Sequence, residues 1–557
     1  MNNKKTEIIA FFSSEGFFRL RTEENKKKRF EELKEAYEKE FDEPLKPELF
    51  DYLIQYDAEQ KQRRKDQQKQ KELKKASLPI ASGLNNISDH IKTLPAGKYV
   101  LSCAQNNTHV HEIVLKCLIN FCQHNNAKLL IARITYNKNG FCQPDINNDN
   151  ELWYDPKVKP YLVSGHIDLQ GLHFLADSNV IPTARNPLSG FDAATQAGIH
   201  AVIPHTKIAL SVVAALKNSP TKTLASTGTV TKSNYIMRKV GAVATLEHCL
   251  GGLFIDTTDK KNIIIRQLEL IPDCNYIYDL NKQYCDNGEV LEGEFIECLQ
   301  PGDIHAEKMT QKSFDKIVSL MQELKPKYLI LHDILDFRTR NHHNIKDCTF
   351  LHGQLMQKNT VKGDLMIMTE LIDKFIKYCE KLYIIESNHD QALMTWLKNE
   401  DFKKDAENAI FYLECMLAIY KHQEIYDNLD NLNILEYVYT YLCKGQYSEE
   451  NFEESFEEND RKLVNFSRVD ESLIIAGIEH GCHGHNGANG SKGSPQQFKK
   501  LGIAMNTGHT HSPSIHGKVY TAGVSASLEM GYNVGASSWA IAHIITYNNG
   551  QRQIIFS

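Results

Sequence analysis

The period of the apolar positions changes along the chain. Near the start, Phe30, Leu33, Tyr37 and Phe41 recur at steps of 3, 4 and 4 and predict one face of an amphipathic helix. Asp42-Glu43-Pro44 ends that helix, and a second one is expected from Pro47 through Lys75. Beyond it, KYVLSCAQ, VHEIVLKCLINFCQHNN and KLLIARITY read strand, helix, strand, an α/β unit with a parallel sheet. Short apolar runs continue at HAVIPH, KIALSVVAAL, GLFIDT and NIIIRQLELI, with no fixed-period repeat. From residue 295 the strand-like runs end in polar residues: EFIECLQ before PGDIH, KYLILHD, KLYIIESNHD, ESLIIAGIEHG and LGIAMNTGHTH. Helical stretches such as MTQKSFDKIVSLMQEL and LMIMTELIDKFIKYC lie between them. AIAHIITY and QRQIIFS, joined by Asn548-Asn549-Gly550, predict a terminal hairpin. The expected organisation is α/β overall: a charged helical module at 1–76, an α/β region at 77–294 and a third domain at 295–557.

Composition adds limits. The chain has 557 residues, 41% apolar and 24% charged, as globular proteins do. Lys and Arg number 64 against 70 Asp and Glu, a net charge of −6. That excludes a uniformly basic nucleic-acid binder but not a local basic surface. One such run, KQRRKDQQKQKELKK from Lys61, carries net +6. A solvated helix and a phosphate-contacting helix both stay open for it. No apolar run approaches the ~18 residues of a membrane span, and the N-terminal apolar stretch is too short and broken for a signal peptide. The 13 cysteines are scattered without a CxxC pair, which points to reduced thiols in a cytosolic setting. Ser226-Thr227-Gly228 before Lys232-Ser233 lacks the glycine a P-loop has directly before its lysine. The acidic run SEENFEESFEEND at 448–460 is expected as an exposed insertion.

The chemistry gathers after the C-terminal strands. Five segments carry metal-ligand side chains, each just after an apolar run: Asp303-Ile304-His305, Asp333, Asn388-His389-Asp390, His480-Gly481 and Gly508-His509-Thr510-His511. Ligands gather at strand ends in open α/β sheets. A set of carboxylate, imidazole and amide oxygen suits Mn²⁺, Fe, Zn²⁺ or Mg²⁺ and disfavours a thiolate zinc site. Two ions about 3.5–4 Å apart need a shared ligand. A carboxylate provides one most easily, and Asp333 is central in the order. In D-x-H and H-x-H, side chains two apart on extended backbone share a face.

The ordered set D-x-H, D, N-H-D, H-G and G-H-T-H resembles the calcineurin-like metallophosphoesterase family over about 295–557. The resemblance implies a β-sandwich flanked by helices and two divalent ions, with manganese first in expectation. It implies that Asp303, His305 and His511 hold one ion, that Asn388, His480 and His509 hold the other, and that Asp333 bridges them. His389 would then act at the scissile phosphate, with Asp390 orienting it. The family usually has glycine where this chain has His332 and Ser387. In the fourth motif, His483 and His485 follow closely; His480 is preferred because it directly follows the strand-like run. The whole chain, from its helical N-terminus to these motifs, also resembles the pre-early host-DNA-degrading proteins of siphophages of enteric bacteria. That likeness implies a nuclease in the cytoplasm of an infected bacterium.

The first expectation is therefore a metal-dependent DNA nuclease. A nucleotide or small-molecule phosphoesterase is the alternative, and a DNA- or protein-binding effector with a structural metal is the alternative of another class. Arg338 and Arg340 are candidates for phosphate contact or for an ion pair with Asp336. Lys492, in NGANGSKGSPQQFKK at 486–500, is a candidate nucleic-acid contact or part of a plain loop beside the metals. His342 and His343 read as outer-shell groups or as a polar loop. A homo-oligomer is expected, and no membrane partner.

Overall fold

The computed structural model describes residues 2–20, 22–76, 91–136, 152–216, 219–341, 344, 348, 350, 359–426, 433–446, 463–469, 471–531 and 533–557. His342, His343 and the acidic run 448–460 lie outside the described residues.

The chain divides into two compact units, Met1–His90 and Ile91–Ser557. The first is helical and has its own core of Ile8, Phe12, Phe17, Phe30, Leu33, Tyr37 and Leu53. Phe30, Leu33 and Tyr37 share that core as their spacing predicts, but Leu33 breaks the helix into Glu23–Glu32 and Lys34–Phe41. Asp42, in a left-handed conformation, ends the second piece. The next helix runs Pro47–Ala76. The buried Lys26 ammonium pairs with Asp57, which Lys61 also meets at 2.8 Å.

In the second unit, Ile296–Gln300, Tyr328–His332, Lys381–Ile385 and Val464–Ser467 lie side by side and parallel. The helices Gln311–Leu324 and Val361–Phe375 are the crossovers that parallel pairing requires. Thr310 caps the first by accepting from the Ser313 amide at 3.1 Å, and left-handed Lys325 ends it. The Ala542–Tyr547 and Arg552–Phe556 hairpin completes a six-stranded sheet, antiparallel to Ile296–Gln300. The helices bury Ile317, Met321, Leu365 and Ile372 against Leu329 and Leu331 on one face.

The opposite face packs on an eleven-stranded sheet. Ile544 and Ile554 share a core with Ile208, Leu210, Ile515 and Tyr520. The boundary expected at residue 294 does not separate these sheets. Ser514–His516 pairs antiparallel with Ile208–Val213, so one sheet joins the middle of the chain to its C-terminal strands. The strand-helix-strand unit read from KYVLSCAQ onward is present. Lys98–Gln105 and Lys128–Ile134 are parallel neighbours in a five-stranded sheet covered by the helix Glu112–Asn125. Ser226-Thr227-Gly228 ends the buried strand Lys222–Thr227, and no helix begins until Lys239, so no phosphate loop forms. No described helix is long and apolar enough to cross a membrane.

Candidate metal centre

The parallel order sets the site. Three adjacent strands deliver their following loops to one sheet edge. Past the strand ends the loops still pair: Ile304 N donates to His332 O at 3.1 Å and His305 N to Asp333 O at 2.8 Å. The backbone there is strained. His305, Asp333, His509 and His511 all have positive φ, at 44°, 49°, 72° and 56°. Non-glycine residues adopt that region at a cost, and such residues cluster at functional sites. Gly508 is required on other grounds: a Cβ there would sit 2.1 Å from Asp303 Oδ1.

The ligand atoms of Asp303, His305, Asp333 and His511 all lie within 4.8 Å of one another, and all four residues are buried. His511 Nε2 is 3.1 Å from Asp303 Oδ2 and 3.0 Å from His305 Nε2. His305 Nε2 is 3.6 Å from Asp333 Oδ2. On the other flank, His483 Nε2 is 3.5 Å from the same Asp333 oxygen, and the His509 ring lies 5.3 Å from the His483 ring. Asn388 Oδ1 and both His483 ring nitrogens are buried without a hydrogen-bond partner among the described residues.

His480 is placed elsewhere. Its Nε2 lies 3.6 Å from Cys298 Sγ and its Nδ1 3.4 Å from Gln300 Oε1, on the strand that precedes Asp303. Burial, then His332 and Arg552, push its imidazole down to about 3. The fourth-motif imidazole facing Asp333 is thus His483, three residues on. His480 N still donates to Leu473 O at 2.8 Å, so it remains tied to the strand segment and the turn after it carries His483 inward.

The pair His389 and Asp390 also departs from expectation. The Asp390 carboxylate accepts from Leu335 N at 3.1 Å, Ser387 N at 3.0 Å and Ser387 Oγ at 2.8 Å. It ties two loops together. The His389 ring is held instead by Asp336, whose carbonyl oxygen is 3.2 Å and carboxylate 3.9 Å from Nδ1. Ser387 Oγ also meets Asp333 Oδ1. One hydroxyl proton cannot serve two carboxylates. Burial and the Asp333 charge push Asp390 up to about 7, which lets it supply the second proton.

Asp336 was missed as a site residue, although its spacing from Asp333, D-x-x-D after a strand, was visible. His305 Nδ1 lies 3.6 Å from it and Lys308 Nζ 3.3 Å. Trp539, whose ring is 4.2 Å from that of His511, gave no sequence signal. His332 stacks on His483 with 5.6 Å between ring centroids.

Asp303, Asp333 and Asp336 are three fully buried carboxylates, and of them Asp336 meets the Lys308 ammonium. Burying charge without compensation is costly, and the imidazoles respond. Against the cost of burial, Asp333 and Asp303 push His483 up to about 9. Burial works against ionised Asp333, but His389, His483 and His305 hold it well below the ordinary carboxylate range. Burial pushes His305 and His509 down to about 4, into the neutral form that binds metal. The donor set, its partnerless atoms and its excess negative charge fit a divalent cation.

Of the candidate phosphate contacts, Arg340 is committed. Its guanidinium makes a bidentate pair with Asp405 at 2.8 and 2.6 Å, not with Asp336. Arg338 lies over the Phe350 ring at 5.7 Å. Lys492 is exposed on the turn that leaves His485.

No family model matches the chain, and no solved structure matches it. Protein A1 of Escherichia phage T5 is 37% identical over 499 residues, covering 87% of this chain and 86% of that protein. At that identity and coverage, the chain belongs to the family of the phage T5 Protein A1.

Proposed function

We propose that the chain is a metal-dependent deoxyribonuclease of the metallophosphoesterase kind, hydrolysing phosphodiester bonds of host DNA. The observation that carries this reading is the buried cluster of Asp303, His305, Asp333 and His511, flanked by His483, His509 and Asn388 around the same Asp333 carboxylate. Asp303, His305 and His511 would hold one ion and Asn388, His483 and His509 a second, with Asp333 between them. Ions held there would supply a water of lowered pKa, from 15.7 toward about 7, and charge to neutralise the phosphate.

The chain's own groups do the rest. The Asp336 carbonyl can only accept, so His389 Nδ1 carries a proton and the ring is fixed in orientation. Burial disfavours its charged form, but Asp333 and Asp336 outweigh that and raise it above the ordinary imidazole range. His389 therefore holds the proton that the departing oxygen needs. Removing such a donor costs about 10²–10⁴-fold in rate. The DNA substrate rests on the whole-chain resemblance, and the host setting on that resemblance together with the phage relative.

The test is supercoiled plasmid incubated with purified protein in Mn²⁺, Mg²⁺ or EDTA, beside Asp333→Asn and His389→Ala. Cleavage in metal, lost in EDTA and in both variants, is expected. Intact plasmid after incubation with folded, metal-loaded protein would overturn the reading in favour of a nucleotide phosphoesterase.

A further inference from the structure

Away from the metal cluster, a cavity of about 790 Å³ opens where the middle of the chain meets the C-terminal strands. Its lining includes Arg185, Lys207, Glu247, Lys499, Lys500 and His516. Four of these are permanent cations and one is a carboxylate, a local excess of 4 − 1 = +3 in a chain whose net charge is −6. The cluster is a built one. Glu247 accepts from Lys207 at 2.6 Å and from Lys499 at 2.5 Å, so one acid anchors two lysines from segments far apart in sequence. Lys207 also donates to the Ala184 carbonyl at 2.8 Å, which fixes the residue before Arg185. Arg185 and Lys500 are exposed, and neither has an ion-pair partner among the described residues.

Two segments of the cavity's lining continue from the loops that carry the site's histidines. His516 lies on the strand that begins three residues after His511, paired with Ala209, two residues after Lys207. The other wall, from Ser494 to Lys500, starts one residue after Gly493, whose amide donates to His485 O at 2.8 Å. Both segments that leave the histidine-bearing loops therefore run into the basic lining.

We propose that this cavity is the track for the DNA backbone, with Arg185 and Lys500 contacting phosphates outside the metal centre. The proposal rests on the nuclease reading. Cations lining a concave surface, two of them without counter-charges, suit a polyanionic strand.

The test uses the full chain and Arg185→Glu, Lys500→Glu and the double variant. Binding of labelled single- and double-stranded oligonucleotides is measured in EDTA over a salt series. Hydrolysis of bis(p-nitrophenyl) phosphate in Mn²⁺ is measured alongside. The double variant is expected to bind DNA at least tenfold more weakly. Its slope of log K against log salt should be shallower by about 2, since each phosphate contact contributes about 0.9. Turnover of the small diester should stay at the wild-type level. Unchanged DNA binding and an unchanged salt slope in the double variant would overturn the proposal, as would polyglutamate displacing DNA as well as a competing oligonucleotide does. Wild-type protein that turns over the small diester but neither binds nor cuts DNA would instead overturn the nuclease reading itself.

Discussion

His483 Nε2 faces Asp333 Oδ2 at 3.5 Å, while His480, the histidine directly after the strand, packs against Cys298. His483→Ala is therefore expected to weaken metal binding by about 100-fold or more, since even outer-shell losses cost 10–100-fold. His480→Ala should keep the metal and lose about 1–3 kcal/mol of stability, as a buried truncation does. Metal analysis after dialysis, beside thermal unfolding, separates the two. Loss of metal in His480→Ala with retention in His483→Ala would reverse the assignment.

The partner of His389 is Asp336, not Asp390. In the proposed hydrolysis the general acid must be protonated, so activity is expected to fall as pH rises through the His389 pKa. The Asp336 charge helps hold that pKa up. Asp336→Asn should move the basic limb of the kcat/KM profile to lower pH, further than Asp390→Asn does. Asp390→Asn should instead cost about 1–3 kcal/mol, because asparagine keeps one acceptor oxygen where the carboxylate offers one oxygen to the Leu335 amide and the other to the Ser387 amide. An identical basic limb in wild type and Asp336→Asn would contradict this.

Arg340 closes a bidentate pair with Asp405 and is unavailable to phosphate. Arg340→Ala should lower stability by about 1–3 kcal/mol with little change in KM for DNA. A raised KM at unchanged melting temperature would return Arg340 to the substrate.

In the helical unit, Asp57 pairs with buried Lys26 and with Lys61. Burial opposes its charge, but the two lysines hold its carboxyl below its ordinary value of 3.8. A depressed carboxyl stabilises above that value, and the contribution is lost as pH falls below 3.8 toward the lower folded value. Asp57→Asn should destabilise the unit by about 3–5 kcal/mol at neutral pH by stranding Lys26. The loss should shrink in acid, as followed by the helical signal on denaturant unfolding. Equal destabilisation at pH 7 and pH 3 would refute the pairing.

The residues of the candidate site were legible because strand-ending loops carry side chains of metal-ligand type in short, ordered motifs. Asp303, His305, Asp333 and His511 needed only that pattern to be brought together. His483 over His480 was not legible, because chain position after a strand does not say which way the next turn aims a ring. Asp336 was hidden for a similar reason: its role depends on a carbonyl-to-imidazole contact between separate loops. The sheet that crosses residue 294 was invisible too. Pairing of Ser514–His516 with Ile208–Val213 joins segments about 300 residues apart, and periodicity carries no register between them.

The most direct test of the account is anomalous diffraction from crystals of the full chain grown in Mn²⁺. Two peaks about 3.5–4 Å apart, with Asp333 between them and His483 on the second, are the predicted result. A single peak, or none at Asp333, would contradict the two-metal centre on which the proposed hydrolysis depends.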